Sequence, residues 1–336
     1  MRKRSILAYR VTIAVVCGAF ASAALASGSF EQALQTTMKY NPAISGKQSE
    51  VNAKGFGVEA AEAAWLPSAS TEFNNLADNV TQGQINIDQP LWSFGRIESR
   101  ISAAKAEVVV DEMDLLRVQR ELLQRTALAY ANVKAIEANQ VVAQSDIEAH
   151  KKLLAHVERR SQGLMASDTD VSLAQSRLVL AQARDRRYAG QLKRAKAELI
   201  ALTVKPVATE QSIPEAYLKL PSEDITTLAL RGSADIANKE AALASAKHQI
   251  QVAKTETYPT LMLRGEHELL DNSIAGAKDS RLGLVFSASF NGLGQVGASN
   301  TRAAEARYQA TLDDLAFTQN TIVRDVDTLL SDLETA

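Results

Sequence analysis

Residues 64–96 read AWLPSASTEFNNLADNVTQGQINIDQPLWSFGR, and this stretch decides the fold. Polar and less polar side chains alternate with a period of two in 68–76 and again in 84–91, on either side of a polar stretch at 78–83. Two alternating runs joined by a polar turn predict a β-hairpin over 68–91 with one apolar and one polar face. A hairpin alone is not stable in water, so we expect these strands to join others.

The same pattern returns later in the chain. A shift of 192 positions brings Pro67 onto Pro259, and a shift of 199 brings Gly95 onto Gly294. A second β-hairpin is therefore predicted over 260–290, with its polar turn around 271–279. An internal repeat of this length sets the architecture of the whole chain.

Segments with apolar residues at 3/4 spacing surround both hairpins, and this spacing predicts long helices that pack as coiled coils. The first structural repeat, 27–205, contains helices within 31–66, the β-hairpin 68–91 and a long helical hairpin 95–203. A linker over 206–222 follows it. The second repeat, 223–336, contains a helix at 223–257, the β-hairpin 260–290 and a helix at 295–336.

The turn inside the long helical hairpin has its own signals. Gly163 is predicted to take the left-handed conformation that ends a helix. Ser167 is a good N-cap for the return helix, and Asp168 and Asp170 place acids in its first turn, where the helix dipole favours them.

The chain begins with a predicted export signal. Basic residues at 2–4 precede a mostly apolar stretch, and ALA at 24–26 fits a cleavage site, so 1–26 is expected to be a signal peptide. The single cysteine, Cys17, lies within it. No apolar run of 18 residues follows, so no membrane-crossing helix is predicted after the signal.

Charge and motif content argue against several classes of protein. The formal net charge is −2, which lacks the strong basic character of a nucleic-acid-binding protein. His150 and His156 stand six positions apart and do not share a helix face as i, i+4 metal ligands would. We find no catalytic residues, no cofactor-binding residues and no metal ligands, and we expect a protein that is not an enzyme.

Several short pieces, in their order and with their repetition, resemble the TolC family of outer-membrane efflux and type I secretion proteins. The pieces are EQAL at 31–34, NP at 41–42, WLPS at 65–68, QPLWSFGR at 89–96 and GLMASDTD at 163–170. The resemblance covers the mature chain. By the internal repeat, Ala336 corresponds to position 136 or 137 of the first repeat, so we expect the chain to be C-terminally truncated relative to the family, without the part that carries the gating residues.

The resemblance implies a fold that is mainly α with β. Long antiparallel coiled-coil helices would join four β-strands that contribute to a trimeric 12-stranded outer-membrane β-barrel. It also implies a homotrimer, a periplasmic adaptor, and an inner-membrane transporter that is either ABC-type or proton-driven. The function implied is that of a channel-tunnel subunit, set in the lipid of the outer membrane with a periplasmic helical tunnel, for proteins or small molecules.

Two sets of site residues follow from the resemblance. The adaptor contact would lie at the periplasmic tip, formed by Gly163, Leu164, Ser167, Asp168, Thr169 and Asp170; the same residues also have the simpler role of capping helices. Membrane-interface aromatics would be Trp65, Trp92, Tyr258 and Phe290. Ordinary packing at the junction of strands and helices is the alternative for these four.

A protein of another class would share some of these features. A periplasmic coiled-coil adaptor or scaffold of a transport complex also has a long helical hairpin flanked by strands. It would have one such hairpin inside one β-domain, whereas this sequence repeats the β-hairpin and the helices. Protein secretion and small-molecule efflux are both left open by the sequence.

Overall fold

A computed structural model describes residues 29–76, 80–221, 223–270, 280–289 and 291–335. The predicted signal peptide 1–26 therefore lies outside the described residues. Seven α-helices and four β-strands occur in the described part of the chain. The helices are α1 Ser29–Tyr40, α2 Pro42–Glu62, α3 Arg96–Gln162, α4 Asp168–Thr203, α5 Ile225–Gly232, α6 Ala234–Thr255 and α7 Gln295–Thr335; the strands are β1 Ser68–Leu76, β2 Val80–Trp92, β3 Thr260–Leu270 and β4 Ser280–Ser287. This content matches the predicted class, mainly helical with four strands.

The chain divides into two compact units that do not follow the predicted repeats. Of the described residues, one unit contains 29–40 and Leu123–Lys219, and the other contains those of Asn41–Leu122 and those from Leu220 to 335. The repeats were predicted as a division of the sequence, and these compact units divide the chain differently. The 67-residue helix α3 is the reason, since its residues up to 122 belong to one unit and those after it to the other.

One unit holds all four strands in a single antiparallel sheet of order β1-β2-β3-β4. Its helices pack through small residues, because alanine lets helix backbones approach closely. The buried apolar residues of these helices include Ala103, Ile236, Ala241, Ala253 and Ala304. Polar contacts add to this packing: Ser99 Oγ lies 2.6 Å from Thr255 Oγ1, and Lys47 Nζ lies 2.7 Å from an Asp114 carboxylate oxygen.

The second unit has a core formed by α1, the later part of α3, and α4. Tyr130 is fully buried there, and its ring meets the edge of Phe30 at 5.3 Å between centroids. The Tyr130 hydroxyl donates to the Gln211 carbonyl oxygen at 2.8 Å, which holds the segment after α4 against the core.

One predicted helix is broken where a capping residue allows it. The prediction of one helix over 223–257 is wrong, since α5 ends at Gly232 and α6 begins at Ala234. Ser233 separates them with an extended ψ of 127°, and its side chain accepts from the Ile236 amide. Asn41 likewise separates α1 from α2, and its side chain accepts from the Ala43 amide at 3.0 Å.

No helix in the described ranges combines the length and the apolar character needed to cross a membrane.

Candidate functional site

The four-stranded sheet has one face of apolar side chains. The strand registers place Ala69 opposite Ile87, Leu263 opposite Leu284, and Leu261 opposite Phe286. Because side chains alternate along a strand, residues that share a register position and parity share a face. The large side chains on this face are exposed: Leu282 is 75% exposed and Phe286 is 64% exposed. Apolar area of this kind, on one side of a sheet, marks a surface that meets another apolar phase or partner.

The opposite face of the sheet is polar and carries paired charges. Arg264 forms a two-pronged ion pair with Asp88 across β3 and β2, with N–O distances of 2.6 and 2.9 Å. Arg281 on β4 lies 3.4 Å from a Glu268 carboxylate oxygen on β3. Glu72 and Glu266 share this face by register, so acids outnumber bases on it. The predicted split into an apolar and a polar face is what the registers show.

The two outer strands of the sheet are its edges. Within the described residues, β1 pairs only with β2 and β4 only with β3. Each edge therefore presents a row of backbone N–H and C=O groups that have no partner strand among the described residues. Such an edge favours pairing with another strand.

Aromatic rings gather at the end of the sheet nearest the helices. Trp92 ends β2 and is 60% exposed; its ring lies 5.8 Å from that of Phe94, which in turn meets the edge of Phe286 at 6.2 Å. Phe94 has a left-handed φ of 53°. Phe94 and Phe286 were absent from the predicted aromatic set, although their position beside Trp92 and at the end of a strand pattern could have identified them.

Trp65 and Tyr258, two other predicted aromatics, lie close to this end of the sheet. Trp65 is half-buried in a short 3₁₀ turn before β1, and its carbonyl oxygen accepts from Gln89 Nε2 at 2.8 Å. Tyr258 precedes β3 and is 43% exposed. Phe290 lies outside the described residues.

Helix α3 ends, at its connection to α4, in a way that the sequence analysis did not predict. The Met165 amide donates to the Arg160 carbonyl at 2.8 Å, and the Leu164 amide donates to the Ser161 carbonyl at 2.9 Å. This pair of bonds is a Schellman motif, and Leu164 occupies its left-handed position with φ 56°. The prediction that Gly163 takes the left-handed conformation is wrong. A leucine in that conformation is strained by about 1–2 kcal/mol.

The start of α4 matches its sequence signals. Ser167 Oγ accepts from the Asp170 amide at 3.2 Å, while the Ser167 amide donates to an Asp170 carboxylate oxygen at 3.0 Å. These reciprocal bonds form a capping box. The Ser167 backbone and side-chain bonds hold the pKa of Asp170 below its ordinary value.

The six predicted tip residues lie together on an exposed turn. Leu164 is 95% exposed, and the neighbouring Met165, which was not in the predicted set, is 69% exposed. A shallow groove beside the turn is lined by Leu153, Val157, Arg160, Met165, Ala166, Asp170, Leu173, Ala174 and Arg177. The strained Leu164 thus presents its side chain to solvent beside a groove in which apolar side chains alternate with two arginines and an aspartate.

The described part of the chain contains no group of three or more His, Cys, Asp and Glu side chains arranged to hold a metal ion. His150 lies 3.6 Å from Asp146 on the same helix, as an i, i+4 pair.

Comparison with solved structures shows the fold. The structure resembles CusC with a TM-score of 0.77 at 16% identity, over 91% of this chain and 76% of that one. It resembles VceC of Vibrio cholerae, described as an outer membrane protein, with a TM-score of 0.71 at 16% identity, over 91% and 79% of the two chains. Similar values relate it to the open state of the MtrE outer membrane channel of Neisseria gonorrhoeae, with a TM-score of 0.71 at 17% identity, over 91% and 73%.

A curated relative shares sequence as well. The pyoverdine export outer membrane protein OpmQ of Pseudomonas aeruginosa is 28% identical over 204 residues, which are 58% of this chain and 42% of OpmQ. The match thus spans about two-fifths of the length of that relative.

The family model of the outer membrane efflux proteins matches residues 33–203 and 226–336, well over half of the chain. This match confirms the resemblance that the short sequence pieces predicted, and with it the predicted outer-membrane location. The chain therefore belongs to the outer membrane efflux protein family, a family of transport proteins rather than enzymes.

Proposed function

We propose that this protein is the outer-membrane channel-tunnel subunit of a tripartite export system. Three copies would close their sheets into one 12-stranded barrel, and their helices would continue it as a tunnel through the periplasm. The single observation that carries this proposal is the sheet itself: four strands with an apolar face, a polar face and two open edges. Closure into a barrel satisfies both edges in lipid, where an unpaired backbone group costs several kcal/mol.

The charges of the sheet support a water-filled interior. A lipid-facing ion pair such as Asp88 with Arg264 would be costly, whereas the same pair facing a channel stays hydrated. The apolar side chains Leu282, Leu284 and Phe286 then face lipid. Trp65, Trp92, Tyr258 and Phe290 would lie near the membrane–water interface, where tryptophan and tyrosine are enriched.

The α3–α4 turn is proposed as the contact for a periplasmic adaptor, through Gly163, Leu164, Ser167, Asp168, Thr169 and Asp170. Two observations support a protein partner there: the exposed Leu164 and the adjacent groove of apolar and charged side chains. The hairpin around the turn is also basic, since residues 147–196 carry eleven Lys and Arg against five Asp and Glu. An adaptor surface rich in acids would complement it, and such binding would weaken with added salt.

Cargo would be a small molecule or a protein delivered by an ABC-type or proton-driven inner-membrane transporter. The name of OpmQ, a pyoverdine exporter, favours a small molecule. An export assay in cells that lack their own duct, with the transporter and adaptor supplied, would separate the two cargo classes.

The test of the proposed function is conductance. The purified protein, reconstituted into planar lipid bilayers, is expected to form a trimer by native mass measurement and to give discrete single-channel steps. The double variant Glu72→Gln, Glu266→Gln should have a lower preference for cations over anions than the parent channel. The reversal potential across a salt gradient measures this preference. A protein that fractionates with soluble periplasm and gives no channel steps would instead be the coiled-coil adaptor or scaffold.

A further inference from the structure

The sheet edges determine which helices become neighbours in an assembly of copies. Helix α2 leads into β1, and β4 leads into α7. If β4 of one copy pairs with β1 of the next, as the proposed function requires, α7 of the first copy comes beside α2 of the second. The contact between α7 of one copy and α2 of the next therefore rests on that proposed function.

The outward face of α2 carries small residues and one large aromatic side chain. Ile44 and Val51 are buried and mark the face that packs against this chain's own helices. The opposite face, at 3/4 spacing, consists of the exposed residues Ser45, Ser49, Ala53, Phe56 and Ala60. Phe56 is 67% exposed although it lies in the middle of a helix among small residues. A large exposed aromatic in such a setting is what an interface anchor requires.

The outward face of α7 has the complementary shape. Ala304 is buried toward α6, and Lys239 on α6 reaches Asp314 on α7 at 2.5 Å, which marks the inward side of α7. The opposite face consists of exposed residues that are mostly small: Ser299, Arg302, Ala306, Ala310 and Asp313. Ala306 and Ala310 carry only a methyl group on this face, so a large side chain from another helix has room to pack between their turns, at a position called here the Ala306 hollow.

The two features lie at the same height above the sheet. Phe56 precedes Leu66, the last residue before the strand region, by ten positions, which is about 15 Å of helix at 1.5 Å per residue. Helix α7 begins at Gln295, so the same distance leads to about residue 305. Because α2 enters the sheet and α7 leaves it at the same end, Phe56 of one copy comes level with Ala306 of the next.

We infer that Phe56 of each copy inserts into the Ala306 hollow of the neighbouring copy and fastens the tunnel helices together. The partner of this surface is thus a second copy of this chain. The contact is heterologous, since one patch meets a different patch, and repeated contacts of this kind close into a ring.

Cross-linking between copies tests the inference. Two tagged forms of the chain, one with Ala53→Cys and one with Ala306→Cys, are co-expressed and treated with a short bis-maleimide. A covalent product that carries both tags is expected, and it can only form between copies because each form has one introduced cysteine. The matched control pairs Ala53→Cys with Ala304→Cys, two positions away on the buried side of α7, and should give little product.

A second measurement uses Phe56→Ala, which removes an exposed side chain and should leave the protomer folded. Dissociation of the trimer into monomers in detergent is expected to increase by about tenfold or more. Leu218→Ala, at an equally exposed position of 67%, should leave dissociation unchanged.

The outcomes separate the inference from the proposed function. Conducting trimers that give no Ala53→Cys with Ala306→Cys product and dissociate no faster with Phe56→Ala would overturn the inference alone. Trimers with the expected product but without conductance would overturn the proposed function alone. A protein that forms no oligomer overturns both.

Discussion

Two connections in the same compact unit each follow a helix with a residue in the left-handed backbone conformation. Leu164 after α3 has φ 56°, and Val204 after α4 has φ 63°. Both positions normally favour glycine, so both connections contain strain that contacts elsewhere must offset.

The connections differ in what surrounds them. After Val204, Lys134 Nζ donates to the Thr209 carbonyl at 2.9 Å, and Thr209 Oγ1 donates to a Glu137 carboxylate oxygen at 3.0 Å. The Gln211 carbonyl accepts from the buried Tyr130 hydroxyl. Around Leu164, the hydrogen bonds within the described residues come from the ends of α3 and α4 themselves, and the leucine is 95% exposed.

This difference indicates two uses of the same strain. At Val204 the strain is offset from within the chain, since the following segment is bonded to α3 and packs Val207 and Ile213 against the core. At Leu164 the left-handed geometry allows the Schellman bonds that end α3, but the leucine side chain itself is exposed and free to contact a partner. The comparison therefore separates a structural connection from a proposed docking one.

The largest expected effect comes from removing the core side chain that holds the connection after Val204. Tyr130→Ala should lower the free energy of unfolding by about 3–5 kcal/mol, because it empties a fully buried site and removes the bond to Gln211. Leu164→Ala should change it by less than about 0.5 kcal/mol. Denaturant unfolding of the purified protein measures both changes. Equal losses of unfolding free energy in the two variants would contradict the difference between the two connections.

A smaller effect is expected at Glu137. Partial burial raises the pKa of this carboxyl, but hydrogen bonds from Lys196, Lys134 and Thr209 outweigh it and hold the pKa below its ordinary value. Glu137→Gln should therefore cost about 1–2 kcal/mol at neutral pH. Since the folded pKa is the lower one, this contribution is complete above about pH 4.3 and disappears as pH falls through the folded pKa.

Unfolding measured from pH 7 to pH 3 tests the sign of that effect. The gap between the parent protein and Glu137→Gln should close in the acid range. A gap that widens on acidification would contradict the ion-pair account of the segment after α4.

Glycine at each strained position is expected to raise stability slightly and to separate the two connections by function. Leu164→Gly and Val204→Gly should each stabilise the protein by up to about 1 kcal/mol through relief of the left-handed strain. Only Leu164→Gly should weaken adaptor binding, measured as the dissociation constant of the reconstituted pair. Weaker binding with Val204→Gly as well would argue against a docking role specific to the tip.

The smallest effect concerns the cap of α4. Ser167→Ala should lower stability by about 0.5–1 kcal/mol, the usual value for an N-cap serine. The pKa of Asp170 should rise toward its ordinary value, since a hydrogen bond from the serine hydroxyl is lost. The pKa of Asp170 is measured by NMR titration of the whole chain with a selectively labelled aspartate. An unchanged pKa would show that the backbone bond alone sets it.

Local signals predicted much of this molecule because they depend on residues close in sequence. The alternation in 68–91 and 260–290, the turn over 163–170 and the long apolar stripes gave strands, cap and helices near their observed bounds. The break at Ser233 was missed, since the apolar stripe continues through it. The left-handed role was assigned to Gly163 rather than Leu164, because glycine preference is statistical while the Schellman bonds depend on where α3 ends.

The sequence alone therefore determined the family, the repeated hairpins and the two-faced strands, all of which follow from periodicity and short-range chemistry. The tertiary structure decided the strand order β1-β2-β3-β4, the pairing of Asp88 with Arg264 across 176 positions, and the gathering of Trp92, Phe94 and Phe286. It also decided that the segment after α4 is held by Tyr130 and Glu137. These features depend on which distant surfaces meet when the chain packs, and no local pattern encodes that meeting.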